Sequence, residues 1–360
     1  MTKDGKVGIG IIGFGGIAKG AHAPGYKRIS DQCEIVAAAD IVPERLEEAQ
    51  SEKWGIKNVF EDYKKLLEMP DIDAVSVCTP NYVHAQPTVD AFAAGKHVLC
   101  EKPMAINASE AKRMIEAANR TGKKLQIGYN MRYSAGAQAL KRAMDGGVLG
   151  EVYHARARAI RRRGVPSWGV FIEKDKQGGG PLIDIGVHIT DMTLWLMGHP
   201  KPVAVSGQTF TKFGTKEGVL GMWGQWDPKK YTVEDFATAL IRFDNGATMS
   251  LESSFIANID KEHFDTHLFG TGAGAFLDAN AGQFQMFREE FGTLTDATPG
   301  WLPRVESSHG EEIKAFVKAV KEDRPIAEMG AATGEQALLV TQIMDAIYQS
   351  GESGKEVVIG

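Results

Sequence analysis

Hydrophobic residues follow two different rhythms along this chain. Over residues 1–130, short runs that are apolar at almost every position alternate with segments whose apolar residues recur at a helical spacing; the runs are 7–13, 34–40, 74–79, 97–101 and 124–130. Strands buried on both faces have this composition and form parallel sheets covered by helices. The pattern predicts a doubly wound α/β domain.

The helical segments between these runs carry residues that start and stop helices. Pro43 suits the first turn of a helix, where a missing N–H costs nothing. Asn107 is suited to cap the segment that follows it, and Gly122 to end that segment. These positions support the alternation of strands and helices.

After about residue 150 the strand-like runs follow one another with few helices between them. The sequences DNG and GTGAG separate neighbouring runs and are typical of tight turns between antiparallel strands. Helical patterns at 309–323 and 334–350 close the chain. We therefore predict two domains, residues 1–130 and an α+β domain over 131–360 with a mainly antiparallel sheet.

Composition narrows the class of protein. The chain has 360 residues, of which 43% are hydrophobic and 24% charged, and its 41 basic and 46 acidic residues give a net charge of -5. This mild acidity argues against nucleic-acid binding.

Three cysteines in separate apolar runs are typical of reduced core thiols. The start lacks a signal-peptide layout and no apolar run approaches the roughly 20 residues of a membrane span, so we expect a cytoplasmic protein that binds no membrane.

A glycine-rich loop follows the first run. Gly13, Gly15 and Ala18 form G-x-G-x-x-A between a strand and a helix, the arrangement in which a backbone approaches a pyrophosphate; a plain tight turn is the alternative.

Asp40 ends the second run, where an acid binds the ribose hydroxyls of a dinucleotide; the alternative is a cap for the helix near Pro43. A carboxylate there favours NAD, while Arg45 leaves NADP open.

A polar pair lies inside an apolar helical pattern near the middle of the chain. Asp184 and His188 are four residues apart, Asp191 falls on the same arc, and no Lys, Arg or Glu occurs between Pro181 and Gly198. Burying such groups costs free energy unless they are paired or used. Three interpretations remain: a satisfied core pair, a metal site that lacks further ligands nearby, and an acid/base pair in a cleft. The glycine run 178–180, which allows a substrate or backbone to come close, favours the cleft.

Lys102 follows the fourth strand-like run and precedes Pro103. The carboxyl ends of strands in an open α/β sheet face the ligand crevice, so this turn and the one at Thr79 and Pro80 are expected there. A solvated surface lysine is the alternative, although a position between a buried strand and a proline is poorly suited to it.

Three blocks of sequence resemble the glucose-fructose oxidoreductase and inositol dehydrogenase (Gfo/Idh/MocA) family: residues 13–18, AGKHVLCEKPMA at 94–105 and GGGPLIDIGVHITD at 178–191. The resemblance extends over nearly the whole chain. It implies an N-terminal Rossmann domain and a C-terminal domain whose open-faced antiparallel sheet forms homodimers or homotetramers. It also implies NAD(P)-dependent redox chemistry on sugars or polyols.

By the same resemblance, the catalytic residues are Lys102, Asp184 and His188. His188 takes the role of general base for a substrate hydroxyl, Lys102 stabilises alkoxide character on that oxygen, and Asp184 holds the reacting groups in register. The implied cofactor contacts are Gly13, Phe14, Gly15, Gly16, Ile17, Asp40, Arg45, Thr79, Asn81, His84, Glu101 and Lys102. For His84, a helix cap is the alternative.

The segment before the catalytic block bears on the substrate. It contains Arg161, Arg162, Arg163 and Trp168, which are either a solvated loop or donors and a ring face for a sugar. We assign Arg163 and Trp168, with Asp184 and His188, to substrate binding, and expect a neutral pyranose or cyclitol and no metal ion. Two other functions stay open: a non-catalytic regulator that binds NAD, and an NAD-dependent glycosidase that oxidises its sugar transiently.

Overall fold

The structure is a computed structural model that describes residues 5–360. Its strands, in chain order, are β1 Val7–Ile12, β2 Cys33–Ala39, β3 Asn58–Phe60, β4 Ala74–Val77, β5 His97–Glu101, β6 Leu125–Gly128, β7 Val152–Ile160, β8 Pro202–Phe210, β9 Phe236–Phe243, β10 Thr248–Ser254, β11 His263–Gly270, β12 Gly274–Asp278, β13 Gln283–Glu290, β14 Thr293–Ala297, β15 Ala332–Thr333 and β16 Val357–Val358.

The helices alternate with strands in the first third of the chain and become sparse afterwards. They are α1 Ala23–Arg28, α2 Pro43–Gln50, α3 Tyr63–Leu67, α4 Ala85–Ala93, α5 Ala108–Thr121, α6 Ala135–Asp145, α7 Lys174–Gln177, α8 Val187–Leu196, α9 Ser308–Lys321 and α10 Gly334–Ser353. A π-helical turn at Ala18–His22 precedes α1, and another at Leu182–Gly186 precedes α8.

The chain divides into two compact units. The first contains residues 5–130 and Glu306–Leu338, and the second contains Met131–Val305 and Leu339–Gly360. Residues 306–338 differ from the sequence expectation, which placed them in the second domain. Their helix α9 packs on α1, and Gly25 of α1 leaves room for the side chain of Ile313. The apolar face of α9 is thus part of the core of the first unit.

The sheet of the first unit has the strand order β15-β6-β5-β4-β1-β2-β3 within the described chain. Its neighbours pair in parallel, except that β15 is antiparallel to β6. Every residue of β1 and of β4 is buried, as their continuously apolar sequences predict. The short strand β3 was not predicted, because Asn58, Val59 and Phe60 are too few to show a pattern.

Helix α5 illustrates how local sequence sets the bounds of an element. The side chain of Asn107 accepts a hydrogen bond from the Glu110 nitrogen at 2.9 Å, and Gly122 ends the helix with a φ of +65°. Both ends confirm the prediction from sequence. Because α5 is amphipathic, its residues Ala111, Met114 and Ala118 are buried against the unit.

The sheet of the second unit has the order β14-β13-β12-β11-β7-β10-β9-β8-β16 among described residues. Its pairs are antiparallel, except that β7 and β10 run parallel. The prediction of a mainly antiparallel sheet is confirmed. In the middle of β7, Ala155 and Ala157 are buried, whereas Arg156 between them is exposed, and α8 packs on this strand.

Cys33, Cys78 and Cys100 are buried free thiols, and burial raises the pKa of Cys33 to about 12. Over residues 5–360 the structure contains no helix long and apolar enough to cross a membrane.

The assignment of α9 to the first unit predicts a large effect of Phe316, which is fully buried. Phe316→Ala should lower the free energy of unfolding by about 3–5 kcal/mol, because it leaves a cavity. Lys318→Ala, at an exposed position of the same helix, should stay within about 0.5 kcal/mol of wild type. Urea unfolding followed by circular dichroism measures both, and equal stability of the two variants would contradict the assignment.

Candidate active site

The glycine-rich loop after β1 contains glycines with two different purposes. Gly13 has a φ of +88°, and a Cβ there would lie 2.8 Å from the Cys78 carbonyl carbon and 2.9 Å from the Thr79 nitrogen. Gly13 therefore allows the loop to approach the end of β4 closely. A Cβ on Gly16 would instead stand in open space, with no atom within 4 Å. Bare backbone at the start of a helix suits a pyrophosphate.

Asp40 holds this loop from the carboxyl end of β2. Its Oδ2 accepts a hydrogen bond from the Phe14 nitrogen at 2.8 Å, and its Oδ1 accepts one from the Val42 nitrogen at 3.0 Å. The Arg45 guanidinium lies 3.2 Å from Oδ2. The carboxylate thus joins the loop to the start of α2, and Phe14, fully buried, offers its backbone and not its ring to the loop.

A cavity of about 370 Å³ opens beside Asp40 within the first unit. Of the predicted cofactor contacts, Gly13, Gly15, Asp40, Arg45 and Thr79 line it. The Thr79 Oγ1 is buried and makes no hydrogen bond to another described residue. A cavity that joins an acid, an arginine and an unsatisfied hydroxyl to a bare glycine loop fits the adenosine and pyrophosphate portion of a dinucleotide.

His84 links two strand-end turns. Its Nε2 lies 2.8 Å from the Thr79 carbonyl oxygen and its Nδ1 lies 2.7 Å from that of Pro103, the residue joined to Lys102 by a cis peptide bond. Burial lowers the pKa of His84, while the two carbonyls and Glu101 act against that shift. The ring therefore braces the turn after β4 against the turn after β5, and a direct cofactor contact of His84 stays a prediction.

A second buried network lies under Lys102. His22 is fully buried; its Nε2 is 2.8 Å from Glu101 Oε1, and its Nδ1 is 3.0 Å from Ser76 Oγ, which also contacts the Tyr26 hydroxyl at 2.7 Å. The other carboxylate oxygen of Glu101 accepts a hydrogen bond from the Lys102 nitrogen at 3.2 Å. This hydrogen bond fixes the backbone of Lys102.

The charge of Glu101 is set by the same network. Burial tends to raise its pKa, but the hydrogen bond from His22 and the electrostatic influence of His22, His309 and Lys102 outweigh burial and hold the pKa below its usual value. His309 comes from α9 and is itself held by Asn130, whose Nδ2 lies 3.3 Å from the His309 Nδ1. Glu101 is therefore an ionised support for the turn.

In the second unit, Asp184 lies in the π-helical turn and His188 in the first turn of α8. Asp184 is 6% exposed, and the Arg161 guanidinium is 3.5 Å from its Oδ2. Burial lowers the pKa of Arg161, while Asp184 and Glu262 act against that shift. The residues from Ile189 to Leu196 are all buried, so this part of α8 has no solvent face. Asp184 and His188 are thus the polar end of an otherwise buried helix.

Glu234 anchors the start of that helix. Its carboxylate accepts hydrogen bonds from the Gly180 nitrogen at 2.9 Å, the Leu182 nitrogen at 3.1 Å and the Tyr348 hydroxyl at 2.9 Å. Burial raises the pKa of Glu234 and these hydrogen bonds act against it. A Cβ on Gly179 would overlap the Tyr348 hydroxyl, and one on Gly180 would overlap the Glu234 backbone. The glycine run therefore accommodates the protein's own packing.

Asp191, the third polar residue of the predicted arc, belongs to a separate pair. The Arg132 Nε donates to its Oδ2 at 2.7 Å, both side chains are about 1% exposed, and His199 completes the cluster 3.2 Å from the guanidinium. Asp191 is therefore a satisfied core group, and the interpretation as a buried pair holds for it.

The arginines before the catalytic helix separate in space. Arg163 donates to the carbonyls of Arg162 and Ala257 and to Asn258 Oδ1. The arginine that reaches Asp184 is Arg161, which sequence reasoning named only as part of the cluster. Trp168 is 56% exposed and stands beside Trp223. A substrate contact of Arg163 stays a prediction.

Sequence reasoning missed His22, His309, Glu234 and Tyr348. Each is an isolated residue whose partner is distant along the chain: 79 positions separate His22 from Glu101, and 114 separate Glu234 from Tyr348. No local pattern indicates such pairs. Among residues 5–360 no cluster of three or more His, Cys, Asp or Glu side chains could hold a metal ion.

Comparison with known proteins agrees with these two units. Residues 7–129 match the GFO_IDH_MocA family model, described as an oxidoreductase family with an NAD-binding Rossmann fold, and residues 137–275 match the GFO/IDH/MocA C-terminal domain. The resemblance stated from sequence is confirmed.

Relatives of known activity match over the full length. The chain is 37% identical to D-glucoside 3-dehydrogenase of Escherichia coli, over 97% of this chain and 96% of that protein. It is 29% identical to myo-inositol 2-dehydrogenase of Thermotoga maritima, over 98% and 99%. The crystal structure of an oxidoreductase domain protein from Kribbella flavida has a TM-score of 0.87 and 25% identity, over 99% of both chains.

The two purposes of the loop glycines can be separated by substitution. Gly13→Ala should lower both the thermal midpoint and NADH affinity, because the left-handed φ and the contact with Cys78 strain the backbone by about 1–3 kcal/mol. Gly16→Ala, in open space, should leave the midpoint unchanged and weaken NADH binding by about tenfold or more. Thermal unfolding without cofactor and NADH fluorescence titration measure these effects; NADH binding by Gly16→Ala at wild-type affinity would exclude the loop as the pyrophosphate site.

Proposed function

The chain belongs to the Gfo/Idh/MocA family of NAD-binding oxidoreductases, and on that premise we propose that it oxidises a secondary hydroxyl of a pyranose or cyclitol. The observation that carries the proposal is the polar start of a buried helix, where Asp184 in the π-helical turn and His188 in α8 follow the segment that Glu234 anchors. The relatives named above act on a glucoside and on an inositol. Both substrates offer ring hydroxyls, which supports a shared substrate class.

Three side chains share the chemistry in this proposal. His188 accepts the proton of the substrate hydroxyl, because histidine takes up and releases protons near neutral pH. Lys102 hydrogen-bonds the same oxygen and stabilises its developing negative charge. Asp184 orients the hydroxyl and is itself held by Arg161.

NAD supplies the hydride acceptor when it is bound. Gly13, Gly15, Gly16, Asp40, Arg45 and Thr79 would hold its adenosine and pyrophosphate portion, and Phe14, Ile17, Asn81, His84, Glu101 and Lys102 complete the proposed contacts. The choice of NAD over NADP rests on Asp40, because its carboxylate repels a 2′-phosphate. Arg45 is already engaged by Asp40 at 3.2 Å, which limits its ability to receive that phosphate.

The cellular setting is part of the same proposal. Three buried thiols without a disulfide among the described residues suit a reducing compartment. We therefore place the enzyme in the cytoplasm, with a small-molecule substrate and with neither nucleic acid nor membrane as a partner.

Turnover assays test the catalytic roles. With NAD and a panel of pyranoses, anhydrosugars and inositols, wild type should form NADH, and Lys102→Ala and His188→Ala should each lose about 10²–10⁴-fold in kcat. Lys112→Ala, at an exposed position of α5, is the matched control. NADP, run in parallel, should serve poorly.

Two results would overturn this function. Tight NADH binding without turnover of any substrate would favour an NAD-binding regulator. Cleavage of a glycoside without net NADH would favour a glycosidase that oxidises its sugar transiently.

We also propose a homodimer or homotetramer formed through the second sheet. Phe291 and Leu294, at the β13–β14 end of that sheet, are 96% and 81% exposed, and large exposed apolar side chains mark contact surfaces. Leu294→Asp should reduce the mass measured by light scattering. Lys57→Asp, at an exposed position of the first unit, is the control, and a monomeric wild type would contradict the proposal.

A further inference from the structure

Two exposed tryptophans lie beside the Arg161–Asp184 pair: Trp223, which contacts Arg161, and Trp168, which the sequence assigned to substrate binding. Neither takes part in the proton and hydride transfer proposed above. Trp168 is 56% exposed and Trp223 is 41% exposed, whereas tryptophan is highly buried on average. Their ring centroids are 5.9 Å apart and their planes differ by 32°. We call Trp168 and Trp223 the tryptophan pair. It places two partly exposed, mutually tilted indole rings side by side in the second unit.

One side chain connects this pair to the proposed catalytic residues. The Arg161 guanidinium lies 4.4 Å from the Trp223 ring centroid, and its Nη1 lies 3.5 Å from Asp184 Oδ2. The same Nη1 donates to the Gly164 carbonyl at 3.2 Å. The Asp184 carboxylate therefore contacts the Arg161 guanidinium, and the guanidinium contacts the Trp223 indole.

The pair is held by specific contacts. Ser167 Oγ donates to the Trp223 carbonyl at 2.6 Å, and Phe171 meets Trp168 edge to face at 6.1 Å. Further along the same loop, Trp226 is buried and its Nε1 donates to the Gly214 carbonyl at 2.7 Å. A buried indole thus fixes the loop while the neighbouring indole, Trp223, stays exposed. Aromatic faces that are ordered before a ligand arrives lower the entropic cost of binding.

We propose that the tryptophan pair is a subsite for a second ring, so that the substrate is a glycoside whose reacting sugar carries a further sugar or an aryl group. This inference rests on the proposed function. The second ring stacks on Trp168 and on the face of Trp223 that Arg161 leaves uncovered. A ring on Trp223 is separated from Asp184 by the guanidinium, so it is distinct from the ring whose hydroxyl Asp184 and His188 hold.

The charges at this subsite agree with an uncharged partner. Arg161 is already paired with Asp184, and Arg163 is engaged by two carbonyls and Asn258. The segment leading to Trp223 also exposes two apolar side chains, since Leu220 is 67% and Met222 is 64% exposed. A neutral ring with apolar C–H faces matches this surface better than a phosphorylated sugar does.

Steady-state kinetics on matched glucosides test the subsite. The substrates are glucose, methyl glucoside, phenyl glucoside and cellobiose, each glucoside in both anomers where available, with NAD as oxidant. In Trp168→Ala and Trp223→Ala the KM for phenyl glucoside and cellobiose should rise about tenfold, with kcat little changed. Glucose and methyl glucoside should respond little. Trp168→Phe and Trp223→Phe, which keep an aromatic face, should recover most of the affinity.

The control is Trp301→Ala, at a tryptophan that is 78% exposed outside these loops, and its kinetics should match wild type for all substrates. Equal losses for all four substrates would overturn the subsite, because the pair would then support the loop alone; so would no loss for any. A fall in oligomer mass with either Trp→Ala variant, with uniform loss of rate, would show that a second copy of the chain covers the pair. Failure of the proposed function would be seen differently, because wild type would then oxidise no member of the sugar and cyclitol panel. That result would reject the subsite as well.

Discussion

The hydrogen bond between Glu101 and His22 is the interaction on which the ligand-facing edge of the first unit depends. Glu101 is only 5% exposed, and burying a carboxylate costs several kcal/mol unless the charge is paired. His22 supplies that pairing from the π-helical turn before α1, and Ser76, which also contacts the Tyr26 hydroxyl, satisfies its other nitrogen. Glu101 in turn receives the Lys102 nitrogen. The orientation of Lys102 thus follows from groups that a ligand does not need to touch.

In the second unit, Glu234 supports the proposed catalytic residues in the same way. Glu234 is buried and receives two backbone nitrogens at the start of the π-helical turn, together with the Tyr348 hydroxyl. Asp184 and His188 then project from a helix whose beginning is fixed. In both units a buried carboxylate binds backbone N–H groups next to a proposed catalytic residue. Rigid support of this kind keeps reacting groups within the small tolerances that catalysis requires.

The sequence predicts the parts of this arrangement that are local. Continuous apolar runs located β1, β2, β4, β5 and β6, and Asn107 and Gly122 marked the ends of α5. The spacing of Asp184 and His188 placed them together at the start of a buried helix. By contrast, the return of residues 306–338 to the first unit depends on the contact of Ile313 with α1, about 290 positions earlier in sequence. The direction of side chains could not be predicted either: of three consecutive arginines after β7, Arg161 contacts Asp184 and Arg163 contacts Ala257 and Asn258, and no local pattern distinguishes them.

The first unit is discontinuous in sequence, since it is made of residues before 131 and of Glu306–Leu338. A ribosome therefore releases most of the parallel sheet long before it makes the helix that covers α1. Synthesis at about 5–20 residues per second leaves that surface open for many seconds. A shortened gene that stops after residue 130 would encode the glycine loop and Asp40 and yet lack His309, α9 and the edge strand β15. Any transplant of this nucleotide-binding unit into another protein has to carry both segments.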